Sequence, residues 1–208
     1  RRALLCSGFS DVVVATCDAE IASAVERYGG KVIMTSSVHR VATERIAEAV
    51  QHLDCTHVVN VQGDEILVLP SDLSRMVKAI EIKPTGGVWN AIANIESAEE
   101  LGCDSVVKCV ISKSDHILFC SRNFSFLPFK DGNFEPVYKI LGITAYDRAF
   151  LEEFSSLEQT PLELFESIEQ SRILENDMSL QGIRYEGGYP GINTPEEAIL
   201  EIYRRLRP

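Results

Sequence analysis

The sequence has no apolar run approaching the roughly 18 residues that a helix needs to cross a bilayer, so a transmembrane helix is excluded. It lacks positive charge: 20 Lys and Arg stand against 31 Asp and Glu, a net charge of −11, with no basic stripe. General nucleic-acid binding through phosphate contacts is therefore not expected. An anionic nucleotide would have to be held by local Arg, Lys or metal. No C-x-x-C pair occurs among the cysteines at 6, 17, 55, 103, 109 and 120, and the histidines at 39, 52, 57 and 116 complete no zinc pattern. The cysteines read as buried, reduced thiols of a cytoplasmic protein, Cys109 in VVKCVIS being typical. No G-x-G-x-x-G follows a strand-like run, which disfavours a Rossmann dehydrogenase. Internal repeats and low-complexity linkers are missing too. So is an opening Met: the chain begins Arg1-Arg2-Ala3-Leu4-Leu5, which reads as the end of a helix that starts earlier. The expectation is one N-terminally incomplete domain over residues 1–208, with a targeting peptide left open.

What is present alternates strand and helix. Asp11–Thr16 (DVVVAT) and Thr56–Gln62 (THVVNVQ) are short apolar runs of the kind buried in parallel sheets, and Lys31–Thr35 (KVIMT) reads as the strand between them. Between them, Asp18 caps a helix with an apolar stripe at Ile21, Ala24, Val25 and Tyr28, ended by Gly29-Gly30. A second helix follows Thr43, and Ser71 caps a third carrying Leu73, Met76, Val77 and Ile80. This order predicts a doubly wound sheet. Gly87–Ile95, Ser105–Ser112 and His116–Ser121 read as strands added antiparallel to it, and 128–136 as a loop. A strand over Leu141–Tyr146, a helix over Arg148–Phe154 and a longer helix from Pro161 to Glu175 follow. Thr194-Pro195-Glu196-Glu197 then starts a closing helix with a capping box.

Four places carry chemistry. Gln62-Gly63-Asp64-Glu65 follows a strand, where open α/β sheets bind ligands. Asp64 there can hold Mg²⁺ against nucleotide phosphates, or be a turn residue that satisfies local amides. Thr43-Glu44-Arg45 opens a helix whose free amides and Arg45 can face an anion; the alternative is dipole complementation by Glu44 and a solvated Arg45. Arg122 at a strand end can grip a carboxylate or phosphate. The loop Pro190–Thr194 is either a ligand loop or simply a helix start.

In this order these segments resemble the 3-deoxy-manno-octulosonate cytidylyltransferases, the CMP-Kdo synthetases, over nearly the whole chain. VVVATCD with AVERYGGKVIMTS, ATERIAEAV, VVNVQGDE, SVVKCVISKSDHILFCSR, LGITAY, PLELFESIEQSRILEND and PGINTPEEA each resemble a stretch of that family. The resemblance implies an α/β, Rossmann-like nucleotidyltransferase with a mixed, mainly parallel sheet. It implies attack by the sugar's anomeric hydroxyl on the α-phosphate of CTP, with Mg²⁺ as cofactor and pyrophosphate as leaving group. It further implies a homodimer and a place in lipopolysaccharide synthesis. By the same resemblance Asp64 and Asn193 would be the metal residues and Arg122 would act in catalysis. Arg45, Gln62 and Arg122 would hold the acidic sugar or the phosphates, and Tyr146, Glu163 and Glu186 would line the sugar pocket.

The chain departs from the family pattern at Val41-Ala42 (Ser-Gly in the family), Ile66 (Pro), Ile140 (His) and Asn193 (Asp). The family's Lys- and Arg-bearing phosphate loop and first strand lie outside the sequence. Three readings stand at this point: a Kdo cytidylyltransferase, a non-catalytic relative that binds nucleotide or a partner protein, and a CMP-neuraminate or CMP-legionaminate synthetase.

Overall fold

One strand of eleven residues, β7 (Val137–Asp147), organises the fold. The computed structural model describes residues 1–83, 87–129 and 132–187. On one edge β7 pairs with β4 (Val88–Asn94) along most of its length. Its other edge is shared. Residues 137–139 pair with β5 (Lys108–Ile111), and residues 143–147 pair with β3 (His57–Val61). Beyond β5 lies β6 (Ile117–Ser121), and beyond β4 lies β8 (Gln181–Tyr185). The pairing directions make β3, β4, β5 and β8 point the same way, with β6 and β7 running against them. The sheet is thus mixed, and four of its six strands are co-directional. A separate parallel pair joins β1 (Val13–Thr16) to β2 (Lys31–Met34).

Alternation along these strands sorts two apolar faces. Val58, Val88 and Tyr146 face one core with Ile46 and Val50 of α2 (Ala42–Val50), Phe150, Leu151 and Phe154 of α5 (Arg148–Ser156), and Ile173 of α7 (Gln170–Glu175). Their sequence neighbours Val59, Trp89 and Ala145 face the opposite core, against Leu73, Met76 and Ile80 of α3 (Pro70–Ile82). Within the described residues the expected strands are present, with shorter strands in the middle and a longer β7, but β4 and β5 run with β3 instead of antiparallel to it as expected, because all three pair against β7. β1 and β3 are half-buried rather than fully buried. Two short elements were not foreseen, α4 (Ala98–Leu101) and β8.

The opening residues form a 3₁₀ turn at Ala3–Leu5. Two local expectations need correction. The α3 helix starts at Pro70, not after Ser71: proline fits the first helical position, and Asp72 Oδ2 takes the Leu69 amide at 2.9 Å. The single helix expected over 161–175 is two, α6 (Pro161–Glu166) and α7, separated by Ser167 at φ 55°. Here tertiary contact overrides periodicity. Arg122 Nε and Nη2 take the carbonyls of Glu166 and Ser167, and the Glu166 carboxylate takes Ser121 Oγ and the Arg122 amide. Asp18 caps α1 (Ala19–Arg27) as read, accepting from Glu20 and Ile21. All six thiols are free; Cys6, Cys109 and Cys120 are buried, Cys55 and Cys103 are half-buried, and Cys17 is exposed.

Candidate active site

The shared edge of β7 makes a crevice. β3 arrives at Ile143 and β5 departs from Lys139, so residues 140–142 have no continuous strand beside them. Their backbone groups are met singly. Ile140 N donates to Val107 O, Gly142 O accepts from Gln62 N, and Gly142 N donates to Glu65 Oε1 at 2.7 Å. A split of this kind, at the carboxyl end of a strand, is where α/β sheets place ligands. Gly142 gives these side chains room: a Cβ there would lie 2.9 Å from Gln62 Oε1 and from Glu65 Cγ and Oε1, so both side chains would have to shift.

Gln62 and Asp64 stand at this crevice. The segment after β3 turns tightly, with Glu65 N bonding to Gln62 O and Ile66 N to Asp64 O. Asp64 is half-exposed, and its carboxylate accepts no hydrogen bond from the described residues. A turn aspartate takes a nearby amide; neither carboxylate oxygen of this one does so among the described residues. Glu65 is the opposite case. Its carboxylate is used on Gly142, and burial pushes its pKa up, with Asp64 and Asp72 adding to the shift and the Gly142 amide opposing it. Among the described residues no group of three or more His, Cys, Asp or Glu could hold a metal. A cation here would rest on Asp64 and on ligand phosphates, a composition that suits Mg²⁺.

Arg45, in the first turn of α2, reaches Thr35 Oγ1 and the Ser36 carbonyl through Nη1. Its Nε and Nη2 donate to nothing among the described residues. The same helix start carries Thr43, whose amide bonds to Glu169 Oε2 and whose hydroxyl meets Tyr146 Oη at 2.9 Å.

Other expected residues have different occupations. Tyr146 is fully buried, and desolvation raises its phenol well above its ordinary value. It supports the start of α2 rather than lining open space. Glu163 is 2% exposed and grips the equally buried Arg172 with both oxygens, at 2.7 and 2.5 Å. Arg172 also reaches Glu44 and stacks over Phe154. A carboxylate so held is a fastening between α6 and α7. Arg122 gives Nε, Nη1 and Nη2 to the carbonyls of Glu166, Asp104 and Ser167, so its guanidinium caps backbone rather than awaiting an anion. Glu186 follows β8, separated from β3 by β7 and β4, and pairs at the surface with Arg75 of α3. Asn193, with the loop and helix read after Pro190, lies outside the described residues.

Sequence reading passed over a polar group buried beside the same stretch of β7: Asn60 and Asn90 flank Thr144, Asn90 reaches the Leu141 carbonyl, and Gln170, next to Glu169, bonds to Asn90. Asn60 Nδ2 and Glu169 Oε1 are buried without a partner among the described residues, and burial raises the Glu169 carboxyl above its usual range. The signal was available in part, because Asn60 and Asn90 interrupt the apolar interiors of their strands.

Residues 1–180 match the family model described as cytidylyltransferase. A 3-deoxy-manno-octulosonate cytidylyltransferase of Chlorobium limicola is 35% identical over 210 residues, covering 99% of this chain and 83% of the relative. The Arabidopsis thaliana protein of that name, designated mitochondrial, is 34% identical over 95% of this chain and 69% of its own length. Among solved structures, a CMP:2-keto-3-deoxy-manno-octonic acid synthetase complexed with CTP superposes with a TM-score of 0.86 at 32% identity, over 99% of this chain and 83% of that one. A 4-diphosphocytidyl-2C-methyl-D-erythritol synthase at 14% identity and TM-score 0.61 shares the fold.

Proposed function

Because the chain belongs to the cytidylyltransferase family, we propose that it couples CTP to an acidic eight-carbon sugar of the 3-deoxy-manno-octulosonate class, releasing pyrophosphate. The observation that carries this reading is the Asp64 carboxylate after β3, unpaired among the described residues and close in sequence to Gln62 at the Gly142 crevice, in a chain 35% identical to a relative named for that reaction. The anomeric hydroxyl of the sugar attacks the α-phosphate, a P–O bond forms, and the bond to the β-phosphate oxygen breaks. Catalysis is then positioning and charge stabilisation. Mg²⁺, when bound, neutralises phosphate charge and polarises the α-phosphate; Asp64 would hold it, with Asn193 as a second ligand by resemblance. Arg45 offers Nε and Nη2 to phosphate or sugar carboxylate from the positive end of α2. Gln62 contributes a neutral amide at the crevice wall.

The working form is a homodimer in a reducing compartment. Leu118, Phe119, Phe126 and Phe165 supply an exposed apolar surface, the last 85% exposed, and six free thiols suit such a compartment. Sedimentation at micromolar concentration tests the dimer: a monomer there overturns it. The activity test is pyrophosphate release that requires CTP, Mg²⁺ and an acidic sugar together. No release across a panel of eight- and nine-carbon acidic sugars would favour a binding role, and release with a nine-carbon sugar alone would reassign the substrate.

A further inference from the structure

Asn60, Thr144 and Asn90 form a row across three strands: Asn60 and Asn90 are each the register partner of Thr144 in β7. Side chains directly opposite in antiparallel pairs share a face, so the row lies on the α7 side of the sheet. Asn90 is completely buried. One end of its amide lies 2.9 Å from two main-chain carbonyls, those of Ala91 and Leu141. Carbonyls only accept, so that end must be Nδ2. Oδ1 is thereby turned the other way, where it receives Thr144 Oγ1 at 3.2 Å and Gln170 Nε2 at 2.9 Å. Both lone pairs of Oδ1 are then used. Gln170 has to give its NH₂ to Asn90, and its own Oε1 points away and accepts nothing from the described residues. The orientation of Gln170 is dictated by backbone carbonyls of β4 and β7 relayed through one asparagine.

We propose that Asn90 is a positioning residue that locks the Gln170 amide with its oxygen turned toward the crevice, so that the site offers an acceptor to a hydroxyl of the sugar. The reading rests on the function proposed above. Two neighbours support a network finished by ligand: among the described residues Asn60 Nδ2, at the far end of the row, is a buried donor without a partner, and Glu169 Oε1, next to Gln170, is a buried acceptor without one. Gln62 lies two residues beyond Asn60 on the same face, about 7 Å along the strand. Asn90 itself touches no ligand, because Gln170 and Thr144 cover it. Its effect falls on sugar recognition and leaves the nucleotide alone.

The test varies both substrates on the full chain carrying Asn90→Leu, Gln170→Leu, or both. Each single variant should raise the sugar KM about tenfold, the equivalent of one hydrogen bond of about 1.4 kcal/mol, with the CTP KM unchanged. The double variant should be no worse than Gln170→Leu alone, since Asn90 acts through Gln170. Asn90→Ser, which keeps a small hydroxyl acceptor, should recover part of the sugar KM. Additive losses, or a CTP KM that rises in parallel, would overturn the proposal. A measurement independent of activity covers failure of the variants to fold and of the functional reading itself. In the unmodified protein the Gln170 side-chain NH₂ should exchange with solvent slowly by nuclear magnetic resonance; fast exchange sinks the relay whether or not the chain turns over CTP and sugar.

Discussion

Glu65 accepts the main-chain amide of Gly142 at 2.7 Å across 77 residues of sequence, and this bond stands in for the strand that β3 and β5 leave missing beside β7. It ties the loop carrying Gln62 and Asp64 to the crevice floor. Glu65→Ala would leave a buried amide unmet, a loss of about 1–3 kcal/mol, and would loosen Asp64. Glu65→Gln keeps an acceptor in place. Urea denaturation should therefore rank the wild type and Glu65→Gln close together, with Glu65→Ala well below.

The same residue predicts a pH dependence. Burial raises the Glu65 carboxyl above the usual carboxylate range. The folded state therefore holds the proton more tightly than the unfolded chain. The stabilisation that follows is present below the unfolded pKa and is lost as pH rises through the folded one. Glu65→Gln does not titrate, so its stability relative to wild type should improve as pH rises from about 4 to 7. Denaturation midpoints of both proteins across that range check the sign; a flat or falling difference would count against it.

Asp64→Asn should remove Mg²⁺-dependent turnover without changing the melting temperature, because the carboxylate is half-exposed and bonds to nothing among the described residues. Calorimetric titration of Mg²⁺ in the presence of CTP is the direct measurement. Equal affinity in the two proteins would return Asp64 to an ordinary turn.

Glu163→Ala should act on stability. It strips the buried Arg172 of its two shortest bonds and leaves the longer hydrogen bonds to Glu44 and the Leu157 carbonyl and the stacking on Phe154. Breaking a buried pair by removing one partner costs about 3–5 kcal/mol, and Glu44 keeps this case near the lower end. A variant that instead stays stable and raises the sugar KM would put Glu163 back in the pocket wall.

Tyr146→Phe separates support from recognition. The phenol meets Thr43 Oγ1 in the buried interior. Its loss should lower stability by about 1 kcal/mol and leave both substrate KM values in place. A selective rise in the sugar KM would show that Tyr146 reaches substrate.

The resemblance of the ordered segments was enough for the family, and local pattern was enough for most of the strand–helix order and for the Asp18 cap. These depend on side-chain period and on neighbours a few residues apart, which any chain displays in its order of residues. What a given polar group does depends instead on which distant group fills its hydrogen-bonding capacity. Arg122 reads as an anion binder until the carbonyls of Asp104, Glu166 and Ser167 occupy it, and the same contacts break the helix that periodicity drew through Ser167. Glu163 reads as a pocket acid until Arg172 closes on it. Asn90 is an anomaly in an apolar strand until Leu141, Thr144 and Gln170 arrive around it. The sequence by itself determined which chemistry the chain can carry. Only the tertiary structure decided which charged and polar side chains remain free to perform it, because a buried donor or acceptor that goes unpaired costs more than local preference can repay.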